Sequence, residues 1–348
     1  MLFYLLDYYS DDIGGSEIPS TLPFCRRLAF FPSVGRANKA TDKVSEKLRD
    51  SAKKTLNIAH RGASAYRPEN TMEAFMEAIT LGADSIEMDV RQTVDGHLVL
   101  IHDETVDRTT DGTGAISELT INQVKALDAG MGTQIPTLEE VFSHFVGDEV
   151  SLNLEIKSPG IEIRVVEMVH RLFRSDRVLI CSFEPSVLRK VKEADREIKT
   201  GLVVGRARPI KSLAWIKGVF PLSTLRKLSA DTLHQHVQLA HPYLITKCRR
   251  EGIPIYVWVV DEEPEMRRLI RRGIDGISTN RPDVLGRVIQ EEDSKARERA
   301  EMGRTHGESG RKIENEFEAI GRKGSTDAKV HGIDGKSGRI LGKHPNCR

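Results

Sequence analysis

Cysteine is scarce in this chain of 348 residues: Cys25, Cys181, Cys248 and Cys347, none within ten residues of another. That spacing excludes a CxxC ligand pair and a dense disulfide framework, and it fits a reducing compartment. Charge of one sign is lacking too. Lys plus Arg total 52 and Asp plus Glu 51, so no net field favours nucleic acid or an anionic membrane. No run approaches the ~20 apolar residues that span a bilayer. The opening MLFYLLDYYSDD has no preceding basic segment and turns acidic at once, unlike a secretory signal. These absences lead to the expectation of a cytoplasmic protein. Gly at 28 and Pro at 14 are ordinary for this length, which excludes collagen-like and wholly disordered classes. The length suits about two domains or one large barrel with extensions, and it buries a full core without staples.

Three regions follow from composition. Residues 1–55 hold two small apolar clusters, LFYLL and LPFCRRLAFF, then a polar, helix-compatible stretch. They read as a partly disordered extension that packs on the main domain; membrane contact is not favoured. Residues 292–348 mix Lys, Arg, Glu, Gly and Ser around one aromatic residue, Phe317, and read as a disordered tail whose start prolongs a helix. The block 56–291 alternates strand-like and helix-like segments. Strands are expected at 56–60, 84–90, 150–157, 177–183, 199–205, 230–236, 254–260 and 275–280, with helical patterns between most of them. Eight Val/Ile/Leu-rich strands with crossover helices specify an α/β (β/α)8 TIM barrel. A ninth run, LVLIHD (98–103), follows the second strand after Asp95-Gly96. It reads as a hairpin with a two-residue turn, leading into a short inserted cap.

Chemistry concentrates at the strand ends. Glu87 and Asp89 are two apart and share one face of the second strand, with Ile86, Met88 and Val90 on the other. Glu155 and Lys157 repeat the pattern on the third. Three carboxylates at one barrel mouth resist ionisation together, and a divalent cation resolves the conflict. An all-oxygen set suits Mg²⁺ or Ca²⁺ rather than Zn²⁺. The plainer alternative is an ordinary ion pair between Glu155 and Lys157 at the rim. His60 ends the first strand, before Arg61 and a Gly62 that would let backbone approach a ligand. Counting across a two-residue turn pairs Asp89 with His102 and sets that histidine over the carboxylates. Two histidines beside a cation suit general acid–base work. Arg61 and Lys157 suit a phosphate, so the set reads as metal-assisted phosphoester hydrolysis.

The segments AHRGASAYRPENTMEAF and IEMDVRQTVDGHLVLIHDETVDRTTDGTG resemble the glycerophosphodiester phosphodiesterase family. The resemblance continues through IPTLEEVF, LNLEIKS, CSFEP and VWVVDEEPEMRRLIRRGIDGISTNRPD, and covers most of residues 57–285. It implies a TIM barrel that hydrolyses a glycerophosphodiester, a small-molecule substrate, to an alcohol and sn-glycerol 3-phosphate. It also implies Glu87, Asp89 and Glu155 as ligands of one Mg²⁺ or Ca²⁺, and His60 and His102 as the acid–base pair. Arg61 and Lys157 would contact phosphate, Glu69 would be a polar contact at the rim, and Phe183 and Trp258 would line the substrate side. A lysophospholipase D or sphingomyelinase D-like activity on membrane lipids is the alternative within the same barrel.

Two departures from the family pattern stand out. Val259, Val260 and Asp261 replace the usual Thr-Val-Asn after the tryptophan, and the new carboxylate is expected to bear on leaving-group preference. The connection 104–149 is short, as in compact, cytosolic-type members, and implies an open site. Elsewhere, the Arg267, Arg268, Arg271 and Arg272 cluster reads as a solvated helix face. His234 and His236 look into the barrel together, and the loop 109–114 reads as a geometric cap.

Overall fold

Apolar runs alternating with amphipathic segments wind into a closed barrel. The computed structural model describes residues 54–205, 221–299 and 301. Eight parallel strands form the ring: β1 (Leu56–His60), β2 (Ser85–Gln92), β4 (Ser151–Ile156), β5 (Val178–Ser182), β6 (Lys199–Val204), β7 (Thr232–His236), β8 (Ile255–Trp258) and β9 (Gly276–Thr279). Pairing of β1 with both β2 and β9 closes it. The ninth strand, β3 (Leu98–Leu100), runs antiparallel to β2 outside the ring. The TIM barrel expected from the sequence is therefore present. The apolar clusters before Lys54 and the tail after residue 301 lie outside the described residues.

The two-residue period of β2 sorts its side chains as expected. Ile86, Met88 and Val90 are fully buried in one apolar cluster with Phe75 of helix Met72–Thr80 and Phe142 of helix Leu138–Phe145. Fully burying side chains of this size contributes about 1.5–3 kcal/mol each. A second cluster unites β6 to β9 with helices Leu222–Leu228, Pro242–Arg250, Glu263–Arg271 and a last helix over 282–299. Of these, Leu222–Leu228 was not anticipated. Its seven residues give too few turns for a periodic signal.

The last helix changes the reading of the arginine cluster. Arg267 pairs with Glu263, Glu291 and Glu292, and Arg271 with Glu292. These ion pairs tie two neighbouring helices together. Arg268 pairs with Glu265 on its own helix.

The hairpin differs from expectation by one residue. Val90 pairs with Leu100 and Gln92 with Leu98, and Thr93 N donates to His97 O at 2.9 Å. The loop is thus Val94-Asp95-Gly96, three residues long, with Gly96 at φ +88° in the αL position of such loops. The Thr93 hydroxyl fixes it by accepting from His97 N and donating to Asp95 Oδ1. Asp89 therefore stands opposite Ile101, whose N–H donates to its carbonyl, and not opposite His102. Beyond β3 the insertion packs on its own apolar cluster, including Val99, Ile101, Val106, Ile116, Val124 and Ile135, which makes the cap a fixed feature.

Gly62 also has a different task from the one expected. A Cβ there would lie 2.6 Å from the backbone carbon of Ala74, and its φ is +82°. The glycine permits close packing of the loop on helix Met72–Thr80 rather than approach to a ligand. Gly62→Ala is expected to destabilise the fold by about 2 kcal/mol or more, from left-handed strain plus the clash. An unchanged urea midpoint would contradict this.

Candidate active site

Strand register assembles the site. His60 of β1 pairs with Glu87 of β2, and Asp89 of β2 with Glu155 of β4, so these side chains share the mouth at the strands' C-terminal ends. Glu87, Asp89 and Glu155 each offer an oxygen within 4.8 Å of the others. Lys157 Nζ lies 2.6 Å from Glu155 and 3.3 Å from Asp89, and Arg61 Nε lies 3.2 Å from Asp89. The ion pair offered as the plainer reading of Glu155 and Lys157 thus exists inside the carboxylate cluster.

Charge in this small volume shifts every carboxyl. Burial, with Asp89 and Glu155 beside it, pushes Glu87 well above the usual carboxylate range. Burial raises Glu155 as well, against the pull of Lys157. Burial would raise Asp89 too, but the Lys157 and Arg61 charges outweigh it and hold Asp89 low. If all three ionise, Arg61 and Lys157 leave negative charge uncompensated, and this repulsion adds to burial in raising Glu87. That donor set fits a hard divalent cation of the Mg²⁺ or Ca²⁺ kind. Asn153, next to Glu87 in register, buries an amide oxygen with no protein partner below the same mouth. Cys181, next to Glu155 in register, adds no sulfur to this group, which is made of the three carboxylates alone among the described residues; burial and the Glu155 charge push its thiol up.

The two histidines are held differently. His60 Nδ1 lies 2.8 Å from Asn280 Oδ1, and burial with the neighbouring Arg61 lowers its pKa to about 4. His102 follows the end of β3, and its carbonyl accepts from Arg91 Nε at 3.0 Å. Its Nδ1 is 2.6 Å from Asp103 Oδ1. Burial lowers its pKa against the pull of Asp89, while Lys157 adds to the lowering. His102 therefore senses the carboxylate cluster although the expected strand pairing is absent.

Glu69 is engaged on both oxygens. Arg61 donates to it at 2.9 Å, and Arg108 donates at 2.7 and 2.9 Å. Arg108 also grips Asp103 at 2.6 Å. One arginine of the inserted loop thus links the residue beside His102 to the residue that orients Arg61. Phe183 and Trp258 meet edge to face at 5.6 Å, and Lys157 Nζ sits 5.8 Å over the Phe183 ring. Of the two inward histidines, His234 is buried against Thr232 at 3.0 Å with its pKa lowered to about 3 by burial. His236 packs on Trp258 at 5.1 Å.

Several contributors were not singled out from the sequence. Asn70 clamps Asp89 twice: its Nδ2 donates to Asp89 Oδ2 at 2.8 Å, and its Oδ1 accepts from Asp89 N at 3.1 Å. Its place beside Glu69 in the PENT segment was the available signal; the structure adds a φ of +57°. Asp103, Arg108 and Asn280 were likewise missed. Asp261 was noted, but its oxygens are taken up by Thr279 and Asn280, which gives it a different geometric basis from direct contact with a leaving group.

The chain is similar in sequence and fold to known proteins. Residues 60–284 match the Glycerophosphoryl diester phosphodiesterase family. A glycerophosphodiester phosphodiesterase of Caldanaerobacter subterraneus subsp. tengcongensis is 40% identical over 249 residues, covering 68% of this chain and 98% of that protein. A glycerophosphodiester phosphodiesterase of known structure from Thermotoga maritima is 31% identical, with a TM-score of 0.56, over 67% of this chain and 98% of its own. An Oleispira antarctica phosphodiesterase, solved with the product sn-glycerol-3-phosphate, is 29% identical with a TM-score of 0.59, covering 67% of this chain and 96% of its own.

Proposed function

The chain belongs to the glycerophosphoryl diester phosphodiesterase family, and on that premise we propose that it hydrolyses glycerophosphodiesters to an alcohol and sn-glycerol 3-phosphate with metal and two-histidine assistance. The observation that carries this reading is the buried convergence of Glu87, Asp89 and Glu155 with Arg61 and Lys157. The product bound by the Oleispira antarctica relative supports the choice of substrate.

Glu87, Asp89 and Glu155 would hold one Mg²⁺ or Ca²⁺, which supplies Lewis-acid charge for a phosphoryl oxygen. Arg61 and Lys157 neutralise charge that builds on the remaining oxygens. Glu69, pinned by Arg108, keeps the Arg61 guanidinium in place. Phe183 and Trp258 form an apolar wall beside Lys157. His60, with its pKa lowered to about 4, is the neutral imidazole at neutral pH, and its Nε2 takes a proton from the nucleophile, whether water or the substrate's own glycerol hydroxyl. His102 gives a proton to the departing alcohol, and the Asp103 carboxylate on its Nδ1 supports the charged imidazole. No helix among the described residues is long and apolar enough to cross a membrane. Cytoplasmic residence is part of the proposal, supported by the free thiols of the buried Cys181 and Cys248.

The test is release of glycerol 3-phosphate from a panel of glycerophosphodiesters, with EDTA and then with added Mg²⁺ or Ca²⁺. Release lost in EDTA and restored by one cation is expected. Release indifferent to EDTA would overturn the metal assignment. Release only from lysophospholipid vesicles would replace the substrate class.

A further inference from the structure

The loops after β8 and β9 send a chain of hydrogen bonds towards His60. Asp261 Oδ1 accepts from Thr279 Oγ1 at 2.9 Å and from Asn280 N at 2.8 Å. Its Oδ2 accepts from Asn280 Nδ2 at 2.6 Å. The other end of the Asn280 amide, Oδ1, faces His60 Nδ1 at 2.8 Å and Ser64 Oγ at 2.7 Å. We propose that Asp261 is a positioning residue: it fixes the orientation of the Asn280 amide and thereby fixes His60 as the Nδ1–H tautomer, with Nε2 free to accept a proton.

The orientation follows from donor and acceptor inventory. An ionised carboxylate only accepts, so the Asn280 NH2 must face Asp261. The amide oxygen then faces His60, and because it too only accepts, Nδ1 must carry the hydrogen. Ser64 acting alone would favour the reverse. Its single hydroxyl proton has two acceptors in reach, His60 O at 2.8 Å and Asn280 Oδ1. A flipped amide would let Ser64 donate to the carbonyl and accept from Nδ2. It would also turn an N–H towards His60 Nδ1, placing the histidine's own hydrogen on Nε2 and removing the base. The carboxylate decides the matter, since the flip sets Asn280 Oδ1 against Asp261 Oδ2 at hydrogen-bond distance. A charge-assisted bond outweighs a neutral hydroxyl contact.

Replacement of the carboxylate should therefore reverse the chain. In Asp261→Asn, the Oδ1 position keeps its two donors, while the other atom becomes an NH2 that donates to Asn280. Asn280 then flips. Adding Asn280→Asp restores an acceptor at both places, so the double variant returns His60 to the Nδ1–H form.

The consequence for rate rests on the reading of His60 as base; the tautomer does not. Two measurements on the full chain separate them. Nitrogen-15 NMR of the imidazoles, with His60 assigned by its loss in His60→Gln, should show Nδ1–H in the parent. It should show Nε2–H in Asp261→Asn and Nδ1–H in the double variant. Steady-state kinetics should show kcat falling about 100-fold in Asp261→Asn with KM little changed, and returning to within about tenfold in the double variant. An Nε2–H tautomer in the parent, or an unmoved tautomer in Asp261→Asn, overturns the proposal. A tautomer that moves while kcat does not overturns the base assignment, and with it any positioning role in catalysis.

Discussion

Glu87→Gln is expected to lower metal-dependent turnover by about 1,000-fold while making the metal-free protein more stable above neutral pH. The loss follows from the several kcal/mol that a Lewis acid contributes to a phosphoryl transition state, at about 1.4 kcal/mol per decade of rate. The gain follows from proton linkage. Glu87 is buried beside Asp89 and Glu155, and its folded pKa is raised well above the usual range. A raised folded value means that Glu87 contributes stability below its unfolded pKa, and that this contribution is lost as pH rises through the folded one. Asp89 has the opposite sign. Lys157 and Arg61 overcome burial and lower it, so its contribution is present above its unfolded pKa and lost on acidification. Gln at 87 keeps an oxygen to accept from Arg61 N, now 2.9 Å from Glu87 Oε2, and never ionises.

In EDTA at pH 8 the variant should thus melt later than the parent, with the gap narrowing towards pH 5. Added Mg²⁺ or Ca²⁺ should reverse the order. A cation at 100 times its Kd stabilises the parent by about 2.7 kcal/mol through mass action and should leave the variant nearly unmoved. Parental turnover in the variant, or an earlier melt in EDTA at pH 8, would sink the assignment.

The carboxylate cluster was legible because a buried parallel strand has a period of two and leaves little freedom in which side chains share the mouth. Glu87, Asp89, Glu155 and Lys157 could be placed from that alone. The hairpin was less determinate. Asp95-Gly96 is compatible with a two- or a three-residue loop, and the Thr93 hydroxyl, which selects the longer one, acts through contacts that composition does not display. A slip of one residue was enough to misplace the partner of Asp89, yet His102 still reached the site through the turn after Ile101. The bonds that orient the histidines were illegible for another reason. Asn280 meets His60 across a separation of 220 residues, and Arg108 meets Glu69 across 39. No local period encodes such meetings. They exist because closing a barrel brings its last strand against its first, and because the inserted loop folds back over the rim.

The division of labour between the histidines predicts a dependence on leaving group. His60→Ala removes the group that takes a proton from the nucleophile, a demand that is the same whatever departs. It should lower kcat by about 10²–10⁴-fold, alike for glycerophosphocholine and for a p-nitrophenyl phosphodiester. His102→Ala removes a proton donor needed only when the departing oxygen is a poor leaving group. It should cost a comparable factor with the alcohol-leaving substrate but little with nitrophenolate, which leaves without protonation. The assignment has a physical basis in the surroundings of each ring. Asn280 offers His60 a neutral amide oxygen, and burial with Arg61 lowers its pKa to about 4, so that it is a free base across the working range. Asp103 offers His102 a carboxylate, itself held in its charged form by Arg108, which works against the burial that lowers the His102 pKa and so supports the protonated ring that donates. Equal losses for His102→Ala on both substrates would remove it as the acid, and a loss confined to the alcohol-leaving substrate in His60→Ala would exchange the two roles. Arg108, which touches Asp103 and Glu69 together, makes the two halves of the site interdependent. A change in the acid's carboxylate therefore alters the grip on Arg61, and double-mutant cycles across Arg108 should show the two histidines coupled through the cap rather than through each other.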